Sequence, residues 1–228
     1  MMRIASSVAA ALTVWALVGC SSGTGGGLEA PPPAAEGGAE ANPYGAPYPA
    51  TDLGFQARAG AAAGNRIRNY RFVGYRTPGS GEPTATVSLA DFYDPEGRTH
   101  KVIHLVASSV WCGPCNQETR ALSAATARFQ GKGIVVVQAL IDGPVQGRAA
   151  STADLDGWIT RHGLTFPTVL DPDVRNLGQF FNAAAVPWNA IIDARSMEIL
   201  QAEVGAVANI DGLVAPWVQW VATNPPKP

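Results

Sequence analysis

Hydrophobic and polar positions divide the chain into an unpatterned front and a remainder in which strands and helices alternate. Residues 102–106, Val-Ile-His-Leu-Val, and residues 133–140, Gly-Ile-Val-Val-Val-Gln-Ala-Leu, are nearly continuous apolar runs. Such runs mark parallel strands buried on both faces. Between them, apolar residues recur at helical spacing over 115–129, so the stretch predicts a βαβ unit. Upstream, 67–76 and 86–92 read as two strands around the turn cluster Thr77-Pro78-Gly79-Ser80-Gly81, and the central strand covers 100–107. Downstream, Ser151 and Asp154 form a capping-box pattern that opens a helix to about residue 162. A short strand follows at 166–170, and Asp171-Pro172 opens another helix running to about 182. Residues 189–193 and 199–204 read as strands joined by a short turn, and 210–221 as a closing amphipathic helix. The pattern predicts an α/β fold: a central mixed β-sheet with helices on both faces and a short N-terminal β extension.

The front carries other signals. Met1-Met2-Arg3 is a basic start, and 4–18 is an apolar stretch of about 15 residues, shorter than the ~20 a membrane span requires. It reads as an export signal. Leu17-Val18-Gly19-Cys20 resembles the lipobox of bacterial lipoproteins, in which the cysteine is lipidated and becomes the mature N-terminus. Residues 1–19 are therefore read as a lipoprotein signal peptide. Residues 20–55, rich in Gly, Pro and Ala, are read as a disordered tether, and 56–228 as the folded domain. The reading places the protein in the cell envelope on a lipid anchor. Ser21 after the lipid site points to the outer membrane, facing the periplasm, where the cell has two.

Charge narrows the classes of partner. The chain carries 16 Lys and Arg against 18 Asp and Glu. That balance gives no electrostatic signature for nucleic acid. Arg58, Arg66, Arg68, Arg71 and Arg76 form one local bias, read as the solvated edge of the first strand, with an acidic docking partner as the alternative. There are three cysteines. With Cys20 lipidated, Cys112 and Cys115 remain as one pair, and an export compartment makes its redox state a functional matter.

The pair lies in Trp111-Cys112-Gly113-Pro114-Cys115, between the central strand and the helix that follows it. Two cysteines at this spacing fit half a metal site, a tight disulfide or a redox pair. A thiol at a helix N-terminus faces unpaired N–H groups and the positive end of the dipole, so Cys112 is the candidate acidic, attacking thiol. Pro114 is tolerated in the first turn because its missing N–H would be unpaired there anyway. Cys115, less exposed, is the candidate resolving thiol. Cys115, Glu118, Leu122, Ala125 and Phe129 fall within an arc of roughly 80° on the helix. Glu118 thus shares the core-facing stripe, where burial raises a carboxyl pKa and suits it to take the Cys115 proton.

The pentapeptide is that of thioredoxins. From Val87 onward the chain resembles thioredoxin-like thiol–disulfide oxidoreductases of the TlpA/ResA type, within the redoxin superfamily. The matching residues are Leu89-Ala90-Asp91, Trp111 to Glu118, Phe166 to Asp173, and Val186-Pro187 with Ile191-Ile192-Asp193. The resemblance implies a thioredoxin-like fold with Pro187 cis and facing the cysteines. It implies that Val186 offers backbone groups to the substrate chain, beside Trp111, Gly113 and Pro114, and that Glu118 modulates the thiols. Trp188-Asn189 after the proline and Asp193-Ala194-Arg195-Ser196 in the hairpin depart from the family's usual residues.

The leading reading is reduction of protein disulfides through a Cys112/Cys115 dithiol, with no cofactor and no metal. The substrate would be a disulfide-bonded envelope protein, an apocytochrome c among the candidates, and the electron donor a partner such as a membrane thiol transporter. Alternatives are an oxidase or isomerase, and a copper-binding module using Cys112, Cys115 and a histidine. A peroxidase is a further alternative, since Ser109 fits its motif while Leu105 stands at the proline position. His100 and His104 are read as core or rim residues, and His162 as a favourable charge at a helix C-terminus.

Overall fold

The computed structural model of the protein describes residues 42–49 and 62–226. Its centre is the expected βαβ unit: β3 (Val102–Ser109) and β4 (Ile134–Asp142) lie parallel, joined by α1 (Gly113–Phe129). After α2 (Thr152–His162), β5 (Thr168–Leu170) pairs in parallel with β4. β6 (Trp188–Asp193) and β7 (Glu198–Val204) form the terminal hairpin, with β6 antiparallel to β3, and α3 (Ile210–Thr223) closes the chain. At the other edge, β1 (Arg71–Tyr75) runs antiparallel to β5 and β2 (Ala85–Ser88) to β1. The seven strands lie in the order β2-β1-β5-β4-β3-β6-β7. This is a thioredoxin-like α/β fold with a mixed sheet and a short N-terminal β extension.

Alternation along β3 divides the core in two. Val102 and Val106 pack with Leu122, Ala125 and Phe129 of α1, Trp158 of α2 and Val214 of α3. Ile103, Leu105 and Ala107 pack on the other face, among Phe72, Leu89, Phe92, Leu177, Phe181 and Met197. All three α-helices thus serve one face. The opposite face is covered by turns and the single-turn 3-10 helices Leu89–Phe92 and Pro172–Val174.

The cause is local. The helix expected from Asp171 to residue 182 is only a 3-10 turn, Pro172–Val174. Asp173 and Val174 take positive φ (58° and 46°), outside the right-handed helical region. The Asp171 carboxylate accepts the backbone N–H groups of Asn176 and Leu177, both at 3.0 Å, and so takes donors that a helix would have used. The second expected strand likewise ends at Ser88, where Ser88 and Asp91 cap a 3-10 turn, Leu89–Phe92. In the β6–β7 hairpin, Met197 takes the left-handed conformation (φ 59°) and Arg195 closes back on Asp193.

Two further readings change. Residues 42–49, assigned to the tether, dock on the domain: Tyr48 is buried and donates its hydroxyl to the Ile67 carbonyl, and Asn42 donates to the Tyr93 carbonyl. Of the arginines read as solvated, Arg66 is buried with Nε donating to the Ser196 carbonyl, whereas Arg76 is exposed and pairs with Asp91 at the surface. The signal peptide, Cys20 and Arg58 lie outside the described residues. Among the described residues no helix is long and apolar enough to cross a membrane.

Candidate active site

The cysteine motif is held at the C-terminal ends of the two central strands. Val110 N donates to the Asp142 carbonyl and Trp111 N to the Gly143 carbonyl, so the end of β4 fixes the turn that leaves β3. The Asp142 carboxylate adds to this grip, accepting the Trp111 indole N–H at 2.9 Å and the Gly147 amide at 3.0 Å. Sequence reasoning passed over Asp142. Its position at the C-terminal end of a buried parallel strand, where α/β folds place their sites, was the available signal.

Cys112 is the N-cap of α1, and its Sγ accepts the Cys115 N–H at 3.1 Å. Asn116 folds its side chain back onto the Cys112 and Val110 carbonyls, which further ties down the first turn. Gly113 and Pro114 are exposed on that turn. Cys112 and Cys115 form a disulfide with Cα atoms 5.2 Å apart. In this oxidised state Cys112 is 2% exposed and Cys115 0%. The Cys115 N–H therefore already points at Cys112 Sγ, where reduction would place an anion.

The Val186–Pro187 peptide bond is cis, and the Val186 carbonyl oxygen lies 3.4 Å from Cys112 Sγ. Trp188, the bulky residue after the proline, is no obstruction. Strand alternation turns it to the face away from the helices, where it packs against Phe180 and Phe181 at ring distances of 5.1 and 5.4 Å. Asn189 then falls on the face that Glu118 occupies.

Glu118 is buried at 1% exposure. Its Oε2 accepts from the Val207 amide at 2.6 Å and from Asn189 Nδ2 at 3.2 Å, while Oε1 has no partner. Burial pushes the carboxyl up to about 7, against the pull of those two donors, and the negative charge of Glu203 adds to the rise. His104, in the middle of β3, hydrogen-bonds Asn189 Oδ1 through Nε2 at 2.8 Å, and burial lowers its pKa to about 4. The structure thus brings Trp111, Cys112, Cys115, Glu118, Val186 and Pro187 into one region and adds Asp142, Asn189 and His104 to it.

Other residues lie apart. His100 stacks edge-on against Phe92 and Tyr44 before β3. His162 is buried against Trp158 with both ring nitrogens unpartnered, and burial, with Arg120 and Arg161 nearby, lowers its pKa to about 4. It is neutral, not the helix-end charge that its position suggested. Among the described residues, no three His, Cys, Asp or Glu side chains cluster as a metal site would require.

Fold and site together define a thioredoxin-like protein with a dithiol/disulfide pair at the start of its first helix. Residues 77–197 match the model of the AhpC/TSA family, and the chain belongs to that family. No curated protein matches it. Among solved structures, the chain is similar to one from Chlorobium tepidum assigned as the thiol:disulfide interchange protein DsbE. Identity is 22% over 68% of this chain and 96% of that one, with a TM-score of 0.50. It is also similar to the thioredoxin domain of a thiol-disulfide oxidoreductase from Bacteroides vulgatus, at 18% identity over 69% and 98% of the two chains and a TM-score of 0.51. At these identities the likeness is one of fold.

Proposed function

We propose that the protein is a thiol–disulfide oxidoreductase of the TlpA/ResA type that reduces protein disulfides. In this reading it is exported, tethered to a membrane through lipid on Cys20, with the domain carried on the segment that follows. One observation carries the reading: a sulfur that receives a helix N–H, beside a cis-proline, above a buried carboxyl whose pKa lies near neutrality. Cys112 attacks the substrate disulfide as thiolate, and the mixed disulfide forms. Cys115 displaces it, leaving the substrate reduced and the Cys112–Cys115 disulfide closed. Re-reduction requires an external dithiol donor, such as a membrane thiol transporter. A disulfide-bonded envelope protein, an apocytochrome c among the candidates, fits as substrate.

Insulin reduction with dithiothreitol tests the chemistry. Wild type is expected to accelerate precipitation of the insulin B chain, Cys112→Ser to be inert, and Cys115→Ser to trap the mixed disulfide. Equal rates with and without wild-type protein would sink the reading. Mass spectrometry of membrane-derived protein tests the anchor, with acyl chains expected on Cys20. Peroxide reduction is the second reading, favoured by family membership and by the buried, unpartnered Ser109 hydroxyl three residues before Cys112. Consumption of hydrogen peroxide by a variant that has lost insulin reduction would favour it.

A further inference from the structure

The Asn189 side chain is fixed at both ends. Its Oδ1 meets His104 Nε2 at 2.8 Å, and its Nδ2 donates to Glu118 Oε2 at 3.2 Å and to the Gly205 carbonyl at 3.3 Å. Turned over, the amide would set oxygen against the Glu118 carboxylate and the Gly205 carbonyl. The Glu118 carboxylate and the Gly205 carbonyl therefore set which end of Asn189 faces Glu118, and His104 braces the other end. Only the Nε2–H form of His104 completes the chain, and its Nδ1 is buried without a partner. The chain runs toward the carboxylate, from His104 to Asn189 to Glu118, with a side branch from Asn189 to the Gly205 carbonyl. One carboxylate oxygen is doubly held, and the other is bare.

We propose that Asn189, braced by His104, is a positioning residue that holds Glu118 Oε2 and leaves Oε1 as the atom that takes the proton of the Cys115 thiol. The inference rests on the thiol–disulfide reading above. In the step it serves, the Cys115 S–H proton passes to Glu118 Oε1, and the Cys115 sulfur bonds to the Cys112 sulfur. The Cys112–substrate S–S bond breaks, and its electron pair leaves with the substrate thiolate. Glu203 on β7 acts on Glu118 through its charge, His104 on β3 reaches it through Asn189, and Cys115 precedes it by one turn on the buried side of α1. Asp211, the one ionisable residue of α3, is turned outward to Arg128. A hydrogen bond to an ionised carboxylate favours the charged form, so losing the Asn189 donor raises the proton affinity of Glu118.

Titration of the Glu118 carboxyl carbon by NMR in the oxidised protein reads this network without turnover. The wild-type midpoint is expected near 7. It should rise by roughly one pH unit in Asn189→Ala and in His104→Leu. His104→Gln, whose amide can again donate to Asn189, should restore it. The pH midpoint for resolution of a preformed Cys112 mixed disulfide with a small thiol should move in parallel. If Asn189→Ala fails to fold, His104→Leu against His104→Gln carries the same test. Carboxyl midpoints that stay put in folded variants, with normal resolution in wild type, overturn this inference alone. A wild type that resolves no mixed disulfide at any pH overturns the thiol–disulfide reading and the inference together.

Discussion

Glu118 is held protonated or ionised by a contest that its surroundings nearly balance. Removal from water raises its pKa from 4.5 to about 7, while two N–H donors oppose the rise. The sign of the stability effect follows. A carboxyl whose folded pKa lies above its unfolded value contributes fully below pH 4.5, and that contribution is lost as pH climbs through 7. The shift corresponds to about 3 kcal/mol. Urea denaturation of wild type and Glu118→Gln at intervals from about pH 4.5 to about pH 8 should show wild type losing ground by that amount. A constant difference across the series would mean that Glu118 ionises like a solvent carboxylate. Its burial was legible in the helical stripe it shares with Cys115 and Leu122. The donors that temper its pKa were not, because Val207 and Asn189 lie 89 and 71 residues away in the chain.

At the scale of elements, runs that are apolar throughout were read correctly, because β3 and β4 are buried on both faces and leave the pattern no alternative. Elements decided by one side chain's hydrogen bonds were misread. Asp171-Pro172 has the composition of a helix start, yet the same carboxylate that could cap a helix instead gathers the N–H groups of Asn176 and Leu177 into a turn. Position likewise misled at α2. A histidine in the last turn of a helix is favoured as a cation when exposed to water, but packing against Trp158 at 4.4 Å takes His162 out of water. Its pKa falls to about 4, so the neutral ring stabilises the fold above about pH 6.5, and that stability is lost as pH drops toward 4. His162→Phe should therefore lose less stability than wild type between those pH values, by about 2–3 kcal/mol in chemical denaturation. Equal losses would place a charged imidazole at that helix end in the native protein.

For the molecule as a whole, the division of labour between the two sheet faces has a mechanical consequence. The helical face carries the cysteines, Glu118 and its hydrogen-bonding chain, whereas the opposite face is closed by segments with little regular structure. Residues 42–49 belong to that closure. Their composition, Asn-Pro-Tyr-Gly-Ala-Pro-Tyr-Pro, is that of a linker, and only Tyr44 and Tyr48 distinguish them from the aromatic-free stretch before. What recruits them is distant: Tyr48 enters the cluster of Ile67, Tyr70 and Phe92, its ring 5.7 Å from that of Tyr93, and its hydroxyl satisfies the Ile67 carbonyl. Deleting such a ring from a core removes transfer energy and leaves a cavity, at about 3 kcal/mol or more. Tyr48→Ala should lower stability in urea by that amount, and Tyr48→Phe by about 1 kcal/mol for the lost hydrogen bond. Because the cysteines lie across the sheet, insulin reduction by folded Tyr48→Ala at 25 °C should match wild type. Unchanged stability in Tyr48→Ala would return residues 42–49 to the tether, and lost activity in a folded variant would mean that the two faces are coupled.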